Sequence, residues 1–193
     1  MTYERCEPGV WTKNSLRQEM RSKLRAQSLE ERDSKSLMIQ EKLFGLDAFR
    51  RARTVCFFVG MDDEVDTVPM IEKSLSLGKR VLVPLADLEN KELKLFEIRD
   101  LRADLRPGTL DILEPDPSKT RQASVDEVDC VVVPGLAFDG EHCRLGRGAG
   151  FYDRFLATVP RAFKVALAFS FQVLPEIPLE HHDHPLDEVL TEQ

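Results

Sequence analysis

Short, mostly apolar runs separated by stretches with helical spacing constrain the fold of this chain more than any other feature of its sequence. The runs lie at residues 54–59, 80–84, 94–98, 130–134 and 164–169. Runs of this length are typical of strands buried on both faces of a sheet. Their alternation with helices predicts an α/β fold with a largely parallel sheet. Ligands gather at the carboxyl ends of such strands, so the loops after Val59, Pro84 and Pro134 are the first places to search for a site.

Helix signals flank the runs. Residues 15–18 have the S-x-x-Q form of a capping box, and a stripe with spacing four follows at Leu16, Met20 and Leu24. A second box at 28–31 predicts a helix with the apolar residues Leu37, Ile39, Leu43 and Leu46. Further helices are predicted between Pro69 and Gly78 and over 151–159. Residues 99–128 are predicted to be mainly loop, and the irregular tail 175–193 to end in an edge strand.

The composition fits one globular domain, which we assign to residues 13–193 after a loose leader at 1–12. The 34 acids and 27 bases give a net charge of −7, which argues against general nucleic-acid binding. No run reaches the about 18 apolar residues of a membrane span. None of the four cysteines forms a C-x-x-C pair, and Cys56 and Cys130 lie within apolar runs as small hydrophobes. We expect a reduced, cytoplasmic monomer.

The strongest local signal is the segment RLGRGAGFYD at 144–153, which follows a buried run and leads into a predicted helix. Alternate glycines let backbone amides approach a ligand, the helix N-terminus adds free N–H groups, and two arginines suit phosphate. The pattern predicts phosphate or carboxylate binding. It is neither a Walker A loop nor a dinucleotide fingerprint, because it lacks G-K-[ST] and has Phe151 at the third glycine position. A flexible turn with two solvated arginines is the alternative.

Acidic residues supply two more candidates. Asp153 lies in the first turn of the predicted helix, where it can either complement the helix dipole or bind Mg²⁺ beside phosphates. Residues 62–67 carry four acids directly after a buried run. Either this segment is a solvated loop, or one of its carboxylates accepts hydrogen bonds from the N–H groups of a pterin-like ring.

Two further clusters, one of basic residues and one of histidines, each allow a simple structural interpretation beside the functional one. Lys13, Arg17 and Arg21 repeat at a spacing of four, which gives either a solvated helix face or an arm that supplies cations to a polyphosphate. Histidines crowd the tail at 181, 182 and 184 without the regular ligand spacing of a zinc site, so an exposed loop is favoured there.

Together these motifs resemble those of the 5-formyltetrahydrofolate cyclo-ligases, also called 5,10-methenyltetrahydrofolate synthetases. The most specific pieces are VVPGLAFD at 132–139 and RLGRGAGFYDRFL at 144–156. Further pieces, in the family's order, are KNSLR at 13–17, DEVDT at 63–67, GKRVLVP at 78–84, ILEP at 112–115, ALAF at 166–169 and HDHPLDEVLTE at 182–192.

The resemblance implies a three-layer α/β/α sandwich with a mixed, largely parallel sheet. It implies an ATP- and Mg²⁺-dependent conversion of 5-formyltetrahydrofolate to 5,10-methenyltetrahydrofolate, with phosphorylation of the formyl oxygen and release of ADP and phosphate. A catalytically weak folate-binding protein on the same fold is the alternative function. A nucleic-acid-associated paralogue is a second one, against which the net charge argues.

The resemblance also assigns residues to roles. The catalytic residues are Arg144, Arg147 and Asp153. The ATP-binding residues are Lys13, Arg17, Arg144, Gly146, Arg147, Gly148, Ala149 and Gly150. The folate contacts are Val59, Glu64 and the segment Arg147, Gly148, Ala149, Gly150 and Phe151, with Glu64 facing the pterin. The Mg²⁺ ligands are Asp153 and Asp187.

Three positions depart from the family pattern. Many members have glycine at Ala149, although lysine also occurs there, and many have tyrosine at Phe151. Phe151 therefore lacks the hydroxyl through which a tyrosine could bind a ligand. Asp111 stands where bacterial members often have glycine, so the loop over the substrate is expected to differ.

Overall fold

A computed structural model of the protein describes residues 12–108, 112–178 and 184–193. Its helices are α1 (Lys13–Ala26), α2 (Leu29–Gly45), α3 (Asp47–Arg51), α4 (Val68–Ser76), α5 (Leu101–Asp104) and α6 (Phe151–Thr158). Its strands are β1 (Thr54–Cys56), β2 (Arg80–Asp87), β3 (Glu92–Ile98), β4 (Leu105–Pro107), β5 (Leu113–Pro115), β6 (Arg121–Ala123), β7 (Cys130–Val133), β8 (Ala137–Asp139), β9 (Arg144–Leu145), β10 (Phe163–Leu167), β11 (Val173–Leu174) and β12 (Glu188–Leu190). The proposed leader lies almost wholly outside the described residues.

Capping boxes open the first two helices, one of them earlier than predicted. The Thr12 side chain accepts a hydrogen bond from the Ser15 backbone, and Ser15 Oγ accepts one from the Thr12 backbone, both at 3.1 Å. The prediction that Ser15 itself caps α1 is therefore wrong, because Ser15 occupies the third helical position of a box that Thr12 begins. The second box is confirmed, with Ser28 and Glu31 bonded reciprocally at 3.2 Å.

Within the described residues, the central sheet has seven strands in the order β12-β10-β7-β1-β2-β3-β6. The strands from β12 to β2 are parallel to their neighbours, whereas β3 pairs antiparallel with both β2 and β6. The prediction of a mixed, largely parallel sheet is confirmed. The edge strand expected in the tail is β12.

The two faces of the sheet bury separate cores, because successive strand residues point to opposite sides. One core joins Val55, Val81 and Val132 to apolar residues of the first four helices: Leu16, Met20, Ile39, Leu43, Phe49, Met70 and Ile71. The other joins Cys56, Leu82 and Val131 to Phe155 and Leu156 of α6. Helices therefore cover both faces, as a three-layer sandwich requires.

The cysteines at 56 and 130 are part of this packing. They lie in the two different cores, and burial raises the pKa of the Cys130 thiol to about 12 and also raises that of Cys56. Both therefore remain protonated and behave as the small hydrophobes that the sequence predicts.

The segment 99–128 is less irregular than predicted. It holds α5, the β4–β5 hairpin and β6, which extends the central sheet beside β3. A second sheet, β11-β8-β9, joins residues for which the sequence patterns predicted no strand. These strands have two or three residues each, too few to show a periodic pattern. No helix in the described part of the chain has both the length and the apolarity to span a bilayer.

The helix predicted from the second capping box is confirmed as α2, but it ends at Gly45 and its apolar residues do not share one face. Ile39 and Leu43 are fully buried, but Leu37 is 56% exposed and Leu46 is half-buried beyond the last helical turn. Leu37 is two residues from Ile39, and such a separation turns a helix by about 200°, so the two side chains lie on opposite faces.

Replacing Ile39 with alanine should destabilise the protein far more than the same change at Leu37. Ile39→Ala leaves a cavity in the core, for which we expect a loss of roughly 2–5 kcal/mol. Leu37→Ala removes an exposed side chain from the same helix and should change the free energy of unfolding by less than about 0.5 kcal/mol. Urea unfolding followed by circular dichroism measures both. Equal losses would mean that the exposed face of α2 is covered in solution.

Candidate active site

A cavity of about 290 Å³ opens where β1 and β7 end. Its apolar wall includes Phe58, Val83, Pro84, Leu93 and Phe151. Its polar residues include Glu64, Arg144, Arg147 and Asp153, together with the backbone of 146–150. The structure thus brings together the predicted residues Val59, Glu64, Arg144, Gly146, Arg147, Gly148, Ala149, Gly150, Phe151 and Asp153 around one space.

The loop after β1 turns Glu64 inward. Thr67, which is fully buried, donates to the Phe58 carbonyl at 2.7 Å and accepts from the Gly60 N–H at 3.0 Å, which closes the loop. Within it, Met61 N–H donates to Glu64 Oε2 at 3.1 Å. A Cβ on Gly60 would lie 2.5 Å from the Val65 carbonyl oxygen, so only glycine fits this approach. The Glu64 side chain is consequently only 10% exposed.

Arg147 binds the acidic loop from across the cavity. Its Nε and Nη2 donate to Glu64 Oε1 at 3.1 and 2.7 Å, and Nη2 also lies 3.3 Å from Asp63 Oδ1. Burial alone would lower the pKa of the Arg147 guanidinium, but the two carboxylates outweigh it and raise that pKa. A solvated acidic loop is therefore the wrong alternative for Glu64 and Asp63, since both are paired.

Arg144 is a buried cation. Its Nη1 donates to the Pro134 carbonyl at 3.2 Å, its Nη2 forms an ion pair with Asp153, and its guanidinium lies 5.7 Å from the centre of the Tyr152 ring. Its Nε is buried and has no partner among the described residues. Burial raises the pKa of Tyr152 well above its usual value, so the phenol stays neutral beside the guanidinium.

The glycine-rich segment owes its path to three glycines. Gly148 and Gly150 have φ angles of 105° and 70°, a left-handed region that side chains with a Cβ rarely adopt. Gly150 is also the N-cap of α6, whose first N–H groups have no partner within the helix. At Gly146, a Cβ would lie 2.8 Å from Arg144 Nη1. This backbone can approach an anion closely, with two guanidinium groups beside it.

The basic stripe of α1 packs against this segment. Arg17 Nε donates to the Gly146 carbonyl at 3.0 Å, and Arg21 Nη2 donates to the Arg147 carbonyl at 3.2 Å. A solvated helix face is therefore the wrong alternative for these two arginines. Lys13 is half-buried one turn before Arg17. Arg21 was not among the predicted site residues, although its spacing from Arg17 marked it.

The structure does not bring Asp187 to the site. Its carboxylate accepts a hydrogen bond of 2.7 Å from Lys164 N–H near the start of β10, whereas Asp153 lies beyond the end of the parallel neighbour β7. Parallel strands place these two positions toward opposite ends of the sheet, so the predicted Asp153–Asp187 metal pair is not formed. No group of three or more potential metal-ligating side chains occurs in ranges 12–108, 112–178 and 184–193. His181 and His182 lie outside these ranges.

Two residues near the cavity were not predicted. Tyr152 lines it and contacts Arg144, but the resemblance directed attention to its neighbour Phe151. Arg154 donates to the Lys91 carbonyl at 2.7 Å and to the Ala149 carbonyl at 3.2 Å, which ties the glycine-rich segment to the β2–β3 turn. Its position in the sequence could have indicated this role, because a side chain four residues after the N-cap Gly150 lies one helical turn from it.

The chain is similar to known proteins of one family. A sequence model of the 5-formyltetrahydrofolate cyclo-ligase family matches residues 10–192. The 5-formyltetrahydrofolate cyclo-ligase of Mus musculus is 31% identical over 189 residues, which cover 93% of this chain and 93% of the mouse protein. That of Escherichia coli K12 is 34% identical over 142 residues, or 72% of this chain and 78% of the bacterial protein.

A solved structure extends the likeness to three dimensions. The NMR structure of Aquifex aeolicus 5,10-methenyltetrahydrofolate synthetase has a TM-score of 0.83 and 34% identity, and the match covers 94% of this chain and 90% of that one. The span that matches the family model, residues 10–192, contains the whole cavity lining described above, from Phe58 to Asp153. The chain therefore belongs to the 5-formyltetrahydrofolate cyclo-ligase family, and it is a ligase.

Proposed function

We propose that this enzyme converts 5-formyltetrahydrofolate to 5,10-methenyltetrahydrofolate in a reaction that uses ATP and Mg²⁺ and releases ADP and phosphate. One observation carries the proposal: a single cavity has an inward-facing carboxylate against apolar walls, and beside them a glycine-rich backbone with two arginines. The first part suits a flat heterocycle with N–H donors, and the second suits a polyphosphate. We further propose that the enzyme acts in the cytoplasm as a monomer.

Glu64 would hold the pterin. A carboxylate accepts hydrogen bonds only, and the amino-pyrimidinone edge of a pterin offers adjacent N–H donors. The Glu64 carboxylate is nearly buried, so such bonds would form out of water and gain strength from the low local dielectric. Val59 and Phe151 supply apolar surface for the rings.

The phosphates of ATP would lie along the glycine-rich segment. Backbone N–H groups at the start of α6 and the guanidinium groups of Arg144 and Arg147 face the same space. Arg17 supports the segment from α1 through the Gly146 carbonyl, and Lys13 begins the same basic stripe. This arrangement suits phosphoryl transfer, in which the protein mainly positions its ligands and stabilises charge.

The reaction needs activation because a formamide oxygen is a poor leaving group. The formyl oxygen attacks the γ-phosphorus of ATP, the bond from that phosphorus to the bridging oxygen breaks, and ADP leaves. N10 then attacks the formyl carbon and loses its proton, and the carbon–oxygen bond breaks to release phosphate. Arg144 and Arg147 would stabilise the charge on the transferring phosphoryl group.

Asp153 fits the role of a Mg²⁺ ligand without Asp187. Mg²⁺ is commonly bound through one or two carboxylates together with substrate phosphates and water. The Asp153 carboxylate lies at the cavity beside the proposed phosphate site, where its present partner is Arg144. The ion would neutralise charge on the transferring phosphoryl group.

The principal prediction is catalytic. Mixed with 5-formyltetrahydrofolate, ATP and Mg²⁺, the protein should generate the ultraviolet absorption of the methenyl bridge, and omission of Mg²⁺ should abolish the reaction. A folded sample that binds the folate but produces no absorption change and no ADP would instead support the folate-binding alternative.

A second prediction concerns the α1 arm. Lys13→Ala and Arg17→Ala should each raise the ATP concentration needed for half-maximal rate while leaving folate binding nearly intact. Loss of one charge-assisted contact corresponds to about 1.5–3 kcal/mol. Lys23→Ala is the matched control, since Lys23 lies on the same helix, paired with Glu19 and 46% exposed. If Lys13 and Arg17 variants behaved like the control, the arm would have no role at the nucleotide.

A third prediction separates substrate binding from catalysis. Glu64→Gln should weaken folate binding, because the amide presents a donor and loses the charge-assisted contact, while ATP should still bind. Asp153→Asn should leave folate binding intact and slow the Mg²⁺-dependent step. Calorimetric titration of each ligand into each variant, beside a thermal melt, measures this. Equal loss of both ligands in both variants would indicate general destabilisation instead of distinct sites.

A further inference from the structure

The ion pair between Arg147 and Glu64 joins the two halves of the proposed site. Both side chains line the cavity, and they meet across 83 positions of sequence. Glu64 is the group proposed to bind the pterin, and Arg147 is one of the groups proposed to bind phosphate. In the structure each side chain therefore occupies the hydrogen-bonding position that a ligand would take on the other.

The hydrogen-bonding capacity of Glu64 makes this pairing exclusive. A carboxylate has about four acceptor positions. Oε2 already accepts from Met61 N–H, and Oε1 accepts from both Nε and Nη2 of Arg147. A pterin edge donates two adjacent N–H groups. It therefore needs either one acceptor position on each carboxylate oxygen or both acceptor positions on a single oxygen. With three of the four positions in use, it cannot bind fully unless Arg147 withdraws.

Asp63 strengthens the closed arrangement. Its Oδ1 lies 3.3 Å from Arg147 Nη2, and its Oδ2 lies 3.9 Å from Arg25 Nε. Asp63 is thus a second anchor of the Arg147 guanidinium. None of the proposed ligand contacts depends on Asp63, so its carboxylate can be changed without removing a group that is proposed to bind folate or ATP.

We propose that the Arg147–Glu64 pair, with Asp63 as its second anchor, is a latch that either ligand must open and that therefore couples folate binding to ATP binding. This inference rests on the proposed function, since it takes Glu64 as the pterin partner and Arg147 as a phosphate partner. Folate takes the acceptor positions on Glu64 and frees Arg147, and ATP draws Arg147 away and frees Glu64.

The latch predicts a definite pattern of affinities. A ligand that binds only the open form has its apparent affinity reduced by the fraction of protein that is open. The first ligand opens the latch, so the second binds without that reduction, and the effect is reciprocal. We expect each ligand to tighten the other by about tenfold, within the usual range of such couplings.

Calorimetric titration tests the pattern. A non-hydrolysable ATP analogue with Mg²⁺ is titrated into the protein alone and into the protein saturated with 5-methyltetrahydrofolate, which lacks the formyl oxygen and cannot react. The converse titration must give the same factor. If both ligands bind and neither changes the affinity of the other, the latch is overturned and the proposed function stands. If neither ligand binds, the proposed function itself fails.

Asp63→Asn separates a latch from ordinary site damage. Loss of one anchor of a partly exposed ion pair should weaken the latch by about threefold. Folate alone and nucleotide alone should then each bind about threefold more tightly than to wild type, and the coupling factor should fall by the same amount. Asp62→Asn is the matched control, because it makes the same change in charge at an exposed neighbouring side chain and should alter neither value. Weaker binding of both ligands to Asp63→Asn would contradict the proposal.

Discussion

The parallel pairing of β1 with β7 is the contact on which the site depends. Val55 pairs with Cys130 and Cys56 with Val131, so the two strands end side by side and point in the same direction. The loop that carries Glu64 leaves one strand, and the chain that leads to Arg144 and Arg147 leaves the other. Residues far apart in sequence therefore meet at the carboxyl ends of the strands, where the general rule for α/β folds places ligands.

Burial of the Arg144 guanidinium at the ends of these strands costs free energy of hydration, and this cost makes the residue informative. A guanidinium that is only 5% exposed has lost most of its hydration, and the ion pair with Asp153 and the Pro134 carbonyl compensate for this. Buried pairs of this kind seldom stabilise a fold more than apolar residues of the same shape would. In the proposed reaction, such a fixed charge would need no reorganisation when charge develops on the phosphoryl group.

Much of this arrangement could be predicted because it depends on local chemistry. The apolar strands, the second capping box and the glycine-rich turn into α6 each follow from a few adjacent residues. The remaining features depend on competition between equivalent local choices or on distant partners. Thr12 and Ser15 could both cap α1. In the structure the side-chain oxygen of each accepts a hydrogen bond from the backbone N–H of the other, which makes Thr12 the N-cap.

Other differences arise from tertiary structure alone. Asp187 matches a family position, but only the register of β10 shows that its carboxylate faces Lys164 at the far end of the strand. The pairing of Glu64 with Arg147 was equally hidden, because both residues had been assigned to ligands and nothing local shows that they reach each other. Motif matching proposes which residues belong to a site, whereas contacts show which of them meet and what each one binds within the protein itself.

The central sheet has a further consequence at its margins. In the part of the chain that is described, the outermost strands, β6 and β12, have three residues each, so few backbone N–H and C=O groups remain available for another strand. Long unpaired edges are where sheets recruit other chains and aggregate. A sheet that is buried on both faces thus ends on either side in a strand that offers another chain few positions for pairing.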